Sequence, residues 1–187
     1  MINGIEDLFD DSITNADYEK MAEEFGFDIR ELTNEMEKYT PTMEVKYSKS
    51  NEDSVSPSYA YPTDSGFDLY STQEITIPSL GRVLVPTGLH IDIPEGYEIQ
   101  VRSKSGLALK QGLMVLNSPG TVDQGYTGEI QVILFNTSHQ EVTITKGMKV
   151  GQAVICPVVS GKWVTFKQID NIEDKDRSDK GFGSTGI

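Results

Sequence analysis

The feature that most limits this chain is its punctuation. From Met43 onward, short runs of β-branched and aromatic residues alternate with clusters of Gly, Pro and Asn, with no good helix between them. Met43–Tyr47, Glu74–Ile77, Arg82–Val85, His90–Ile93, Tyr97–Arg102, Glu129–Phe135, Glu141–Thr145, Val150–Pro157 and Lys162–Gln168 all read as strands. Many short strands at close spacing predict an all-β fold, a jelly-roll-like β barrel. The polar stretch Lys49–Pro57 reads as a loop, and no segment repeats.

A different texture precedes the strands. Residues 1–42 hold 12 acidic and 3 basic residues and so carry −9 of the net charge of −13. Apolar residues fall there at helical spacing, at Tyr18, Met21, Ala22 and Phe25 and again at Ile29, Leu32, Met36 and Tyr39. Asn15 or Asp17 suits a helix cap, Gly26 separates the two helices and Pro41 stops the second. The expected organisation is a short acidic helical extension (1–42), a β domain (43–170) and a flexible, Gly-rich C-terminal tail (171–187). The apolar faces of the extension need cover from the barrel, a neighbouring subunit or a protein partner.

The acidity argues against direct nucleic-acid binding, which rests on Lys and Arg neutralising phosphates. No apolar run approaches the roughly 18 residues of a membrane span. The N-terminus lacks the basic and apolar regions of a secretory signal, so the expected location is cytoplasmic, or host cytoplasm for a viral chain. The single cysteine, Cys156, excludes an intramolecular disulfide framework or a cysteine zinc cluster. His90 and His139 have no metal-ligand spacing and read as surface residues.

Four polar clusters fall at the joints between strands, where a β scaffold presents functional groups. In Asp64-Ser-Gly-Phe-Asp68-Leu-Tyr, Asp68 suits either a turn or a functional carboxylate. Arg102-Ser-Lys104-Ser105-Gly106 sets two cations, two hydroxyls and a glycine in five residues. Such a segment can cradle phosphate, because Gly lets backbone N–H groups approach oxygen while the cations neutralise it; a solvated loop is the other reading. From Asn117 to Ile130, Pro119, Gly120, Gly125 and Gly128 surround Val122 and Tyr126 and predict a tight hairpin. Its backbone can read the edge of a base, Tyr126 can pack on a sugar, and Asp123 is a candidate general base that equally suits a bond within its own turn. The fourth cluster runs from Gly147 into Gln152, the one amide ahead of Ala-Val-Ile, where a solvent-facing strand end is the alternative. The tail adds Arg177, Phe182, Ser184 and Thr185, a cation, a ring and two hydroxyls among glycines.

Together these segments resemble the five ordered motifs of the trimeric dUTP pyrophosphatase (dUTPase) family. Asp64–Leu69 is similar to the first motif, Arg102–Ala108 to the second, Asn117–Ile130 to the third and Gly147–Ile155 to the fourth. Arg177-Ser-Asp-Lys-Gly-Phe-Gly-Ser-Thr-Gly186 is similar to the fifth. The resemblance implies a jelly roll that trimerises, with each active site assembled from all three subunits. It implies hydrolysis of dUTP to dUMP and pyrophosphate, which keeps uracil out of DNA and supplies dUMP, with Mg²⁺ held mainly by the substrate's phosphates. By the same resemblance Asp123 is the general base for in-line attack of water on the α-phosphorus. Tyr126 packs on deoxyribose and excludes a 2′-hydroxyl, and Asn117 with the hairpin backbone reads uracil. Arg102, Lys104, Ser105 and Gly106 bind the phosphate chain, Gln152 contacts the phosphates or the attacking water, and Asp68 supports the phosphate and metal region. Phe182 stacks on uracil, Arg177, Ser184 and Thr185 hold the γ-phosphate, and Gly183 lies in the same substrate-binding string.

Two departures stand out. Lys104 occupies a position where the family usually has Arg, which keeps the charge and loses the bidentate fork. Ser178 and Lys180 stand where it usually has Gly. Two competing readings share the fold: a dCTP deaminase, against which the Asp123-x-x-Tyr126 segment and the tail speak, and a regulatory binding protein gated by dUTP, which the acidic extension keeps open.

Overall fold

The computed structural model describes residues 43–173 and Lys175. The expectations for residues 1–42, and for Arg177, Phe182, Gly183, Ser184 and Thr185 in the tail, lie outside the described residues. Ten strands are described: β1 (Lys46–Lys49), β2 (Phe67–Tyr70), β3 (Ile75–Ile77), β4 (Arg82–Asp92), β5 (Tyr97–Arg102), β6 (Leu113–Val115), β7 (Gly120–Val122), β8 (Ile130–Asn136), β9 (Val142–Ile144) and β10 (Lys149–Pro157). One short helix, α1 (Ser105–Gln111), follows β5.

The strands form two antiparallel four-stranded sheets, β1-β4-β8-β6 and β2-β10-β5-β7, with β3 and β9 paired as a separate ribbon. Period-two alternation sends one face of each strand inward. Val85, Leu89 and Ile91 of β4 and Ile130, Val132 and Leu134 of β8 meet Phe67 and Leu69 of β2, Ile99 and Val101 of β5 and Ala153 of β10 in one buried core. This is the jelly-roll-like arrangement expected from the strand spacing. Among the described residues no helix is long and apolar enough to cross a membrane.

Among the described residues one amide, Asn136, is fully buried, and it is satisfied. Its Nδ2 donates to the carbonyls of Ile77, Pro78 and Gln140, while Oδ1 accepts from the Ser138 N–H and hydroxyl. An unpaired amide there would cost roughly 1–3 kcal/mol.

Five sequence expectations change. Arg82–Val85 and His90–Ile93 belong to one strand, because Pro86-Thr87-Gly88 makes a bulge rather than a turn, with Gly88 at φ 68°. Ser105–Gln111, where no helix is expected between the strands, is a helix stopped by Gly112 in the left-handed conformation (φ 66°), whose N–H reaches the carbonyls of Leu107 and Ala108. Asn117–Ile130 is not a hairpin of paired strands: β7 pairs with β5 and β8 with β4, so the segment crosses between sheets. Among the described residues Lys162–Gln168 is not a strand. It begins in a 3₁₀ turn (Gly161–Trp163), and Trp163 and Phe166 are 73% and 96% exposed, with no neighbouring strand to bond among the described residues. The strand expected at Met43–Tyr47 lies at Lys46–Lys49.

Candidate active site

Antiparallel register sets side by side three residues that are far apart in sequence. Gln152 in β10 faces Asp68 of β2 on one side and Arg102 of β5 on the other. Directly opposed residues project to the same face of a sheet. Buried Leu69, Val101 and Ala153 alternate with them, so Asp68, Gln152 and Arg102 form a row on the outer face. Gln152 Nε2 lies 3.4 Å from the Gly66 carbonyl. The Arg102 guanidinium donates to Gln100 Oε1 at 2.7 Å from Nη2, and Nη2 lies 3.6 Å from Cys156 Sγ.

Asp68 is held from two sides. Lys104, at the N-cap of α1, pairs with Oδ1, and Lys149 Nζ lies 2.7 Å from Oδ2. Burial alone would push the Asp68 carboxyl up, but hydrogen bonds and charge from the two ammonium groups outweigh it and hold its pKa below the ordinary value. The Asp68 carboxylate in turn raises the pKa of Lys149. Lys149 was not singled out by sequence reasoning. It reaches Asp68 through a register shift between Lys149 and Gly151, which sets Lys149 opposite Tyr70, two residues from Asp68 on the same face. A regular ladder would set Val150 opposite Tyr70 and turn Lys149 to the other face.

Ser105 and Gly106 form the exposed first turn of α1, immediately after Lys104, and a Cβ at Gly106 would meet nothing within 4 Å. That leaves the backbone open to a ligand, while Ser103 Oγ accepts the Val115 N–H at 2.8 Å and ties the segment to β6.

The segment with Asp123 and Tyr126 is a second, separate grouping. The Tyr126 N–H donates to the Asp123 carbonyl at 3.0 Å, closing a turn that exposes both side chains. Tyr126 folds its ring over Gly128, where a Cβ would lie 2.5 Å from Oη and 2.6 Å from Cζ, and its hydroxyl donates to the Glu129 carbonyl at 2.9 Å. The Asn117 amide lies over Gly120, whose absent Cβ would approach Asn117 Nδ2 to 2.9 Å. A cleft of about 310 Å³ lies beside Tyr126, bounded by Gln124, Thr127 and His90 and by Lys46–Ser48 of β1.

Within one chain Asn117 lies over Gly120, which pairs with Val101 beside Arg102, whereas Asp123 stands apart from the Asp68–Gln152–Arg102 row. Val122 pairs with Ile99 and Gln152 with Arg102, three residues apart on β5, so Asp123 leaves β7 roughly 10 Å or more from the Arg102 level. Among the described residues no three His, Cys, Asp or Glu side chains gather as a metal site, and both oxygens of Asp68 are taken by lysines. These residues do not fit a metal held by the protein itself.

Residues 52–186 match the dUTPase family. Similar curated proteins include the deoxyuridine 5'-triphosphate nucleotidohydrolase of Hydrogenobaculum sp. (strain Y04AAS1), 49% identical over 146 residues that span 78% of this chain and 99% of that relative. The protein of the same name from Ehrlichia canis (strain Jake) is 47% identical over 146 residues, 76% of this chain and 95% of its own length. Among solved structures, the Staphylococcus bacteriophage 80alpha dUTPase with dUPNHPP is similar in fold, with a TM-score of 0.71 at 24% identity over 78% of this chain and 100% of that one.

Proposed function

The chain belongs to the dUTPase family, and from that premise we propose that it is a dUTP diphosphatase whose sites are shared between copies of a homotrimer. The observation that carries the reading is the row Asp68–Gln152–Arg102 with Lys104 and Lys149 around it. Lys104 and Lys149 around Asp68, with Arg102 in the same row, leave a local excess of positive charge in a chain of net −13, which suits a triphosphate. Asp68 acts there through the lysines, fixing where their charges stand.

In this reading the nucleoside lies against the Asn117–Tyr126 segment. The Tyr126 ring, held by Gly128 and the Glu129 carbonyl, packs on deoxyribose and leaves no room for a 2′-hydroxyl, while Asn117 and neighbouring backbone groups read uracil. Asp123 takes a proton from water, the water oxygen bonds to the α-phosphorus, and the bond from that phosphorus to the bridging oxygen of the β-phosphate breaks. Pyrophosphate leaves and dUMP remains. Arg102, Lys104, Ser105, Gly106 and Gln152 orient the phosphates, with Arg177, Phe182, Gly183, Ser184 and Thr185 closing on the γ-phosphate and the base. A magnesium ion, arriving on the triphosphate, would supply further charge neutralisation.

The separation of roughly 10 Å or more along β5 between Asp123 and the Arg102 level supports a site completed by another copy. So do exposed Val159, Trp163, Phe166, Ile169 and Ile172, an apolar stretch that finds no cover among the described residues. Asp123→Asn tests the reading: it keeps the side-chain size and removes the base. Hydrolysis of dUTP should fall by about 10²- to 10⁴-fold, while a non-hydrolysable dUTP analogue still binds by calorimetry. Near-normal turnover by the soluble variant would remove Asp123 from the mechanism.

A further inference from the structure

The segment that carries Asp123 and Tyr126 crosses from one sheet to the other, so it lacks a hairpin ladder to fix it. Its position comes from contacts with the bulge of β4. The Gly88 N–H, freed from the ladder by the register shift between Pro86 and Leu89, donates to Glu129 Oε1 at 2.6 Å. The Glu129 carbonyl accepts the Tyr126 hydroxyl, and the Tyr126 N–H donates to the Asp123 carbonyl. One unbroken series of hydrogen bonds therefore runs from the bulge, through Glu129 and Tyr126, to the turn at Asp123.

A second anchor lies between its two ends. His90 Nδ1 is 3.1 Å from the Thr127 carbonyl, and Nε2 is 2.7 Å from Ser50 Oγ. A carbonyl only accepts, so Nδ1 carries the proton and donates, and in the neutral ring Nε2 accepts from the serine hydroxyl. The bulge itself admits no substitution: Gly88 has φ 68°, and a Cβ there would sit 1.9 Å from Ser54 Oγ. The β4 bulge is thus a rigid base, and Glu129 and His90 are the side chains by which the segment grips it.

We propose that Glu129 and His90 are positioning residues for the reaction: they set the placement of the Tyr126 ring, and with it the exclusion of a 2′-hydroxyl, without touching substrate. The inference rests on the roles given above to Tyr126 and Asp123. It deepens them by assigning sugar selectivity to residues outside the site.

The test is the ratio of kcat/KM for dUTP to that for UTP, measured beside thermal stability on the full chain. Glu129→Ala removes the acceptor for Gly88, and a small misplacement of the ring is enough to lower kcat/KM for dUTP by about tenfold or more. The dUTP/UTP ratio should fall by about tenfold with it. Glu129→Gln retains an oxygen that can accept the same N–H and should stay within about threefold of wild type on both measures.

The histidine gives a matched pair should Glu129→Ala not fold. The amide nitrogen of His90→Asn can take the place of Nδ1 and keep the bond to Thr127, whereas that of His90→Gln reaches the position of Nε2 and loses it. The asparagine variant should keep the ratio and the glutamine variant lose it. Equal ratios in wild type, Glu129→Ala and His90→Gln would overturn the proposal. So would activity lost in step with melting temperature at an unchanged ratio, which is what a role in stability alone would produce. Asp123→Asn, assayed alongside, keeps the two levels apart: full turnover there sinks the general-base reading, while an unchanged ratio at Glu129 and His90 with Asp123→Asn inactive sinks only the anchor.

Discussion

Replacing Asp68 by Asn removes a carboxylate shared by two ammonium groups. The side chain of Asp68 is 15% exposed and that of Lys104 25%. Hydrogen bonds to charged groups contribute roughly 1.5–3 kcal/mol and exposed ion pairs roughly 0–1 kcal/mol. The Asp68–Lys104 pair lies between these cases, and solvent on its open side screens it, so a coupling of about 1 kcal/mol is expected. Lys149 is about half exposed, so its coupling to Asp68 should be smaller. A double-mutant cycle of Asp68→Asn with Lys104→Met, read by urea unfolding at one fixed protein concentration, measures the term.

The sign of the pH dependence follows from the direction of the shift. Burial raises the Asp68 pKa, but Lys104 and Lys149 more than offset it, leaving the folded value below the ordinary one. The resulting stability is fully present above the unfolded pKa and is lost as pH falls through the lowered folded value. Lys149 behaves oppositely: its raised pKa gives stability present below the ordinary lysine value and lost as pH rises through the raised one. The coupling should therefore stand at pH 7 and vanish in acid once Asp68 is protonated. A coupling that survives there, or one larger for Lys149 than for Lys104, would refute this account of the cluster.

Gly128→Ala would drive a Cβ into Tyr126 Oη and Cζ, so kcat/KM for dUTP should drop by about tenfold while the melting temperature changes little; steady-state kinetics and a thermal scan check both. Truncation after Asp176 removes Arg177, Phe182, Ser184 and Thr185 and should lower hydrolysis by orders of magnitude, on the order of 10²-fold or more, with the far-UV spectrum of the barrel retained; full turnover would remove the tail from the site. Deleting residues 1–42 should leave dUTP hydrolysis intact, and a deletion variant that assembles but is inactive would assign the extension to the active site.

The strands were legible wherever an alternating apolar run faces the core. Tyr97–Arg102 and Val150–Pro157 stand nearly where their sequence puts them, because Ile99, Val101 and Ala153 must point inward together. Legibility failed where pairing decides the outcome. Phe67–Tyr70 has only four residues next to a Ser-Gly joint, and it is a strand because β10 pairs with it. Trp163–Phe166 has strand-forming residues but no partner strand among the described residues. Helix α1 is seven residues long with a glycine in its first turn and no fully buried side chain, so its sequence carries no amphipathic signal.

The site divides in the same way. Residue type alone picks out Asp68, Arg102, Lys104 and Gln152, but their association follows from register, with β10 pairing β2 on one edge and β5 on the other. Lys149 joins them only because the ladder slips by one residue before Gly151, an event set by three-dimensional pairing rather than by any local motif. The Asp123 segment depends likewise on the irregularity in β4: Pro86 and Gly88, which fall between two runs read from sequence as separate strands, form a bulge that frees an N–H for Glu129. In both halves of the site a bulge aims the functional groups. A change that regularised either ladder should therefore impair the chemistry even with every motif residue intact, since it would turn Lys149 from Asp68 or withdraw Gly88 from Glu129.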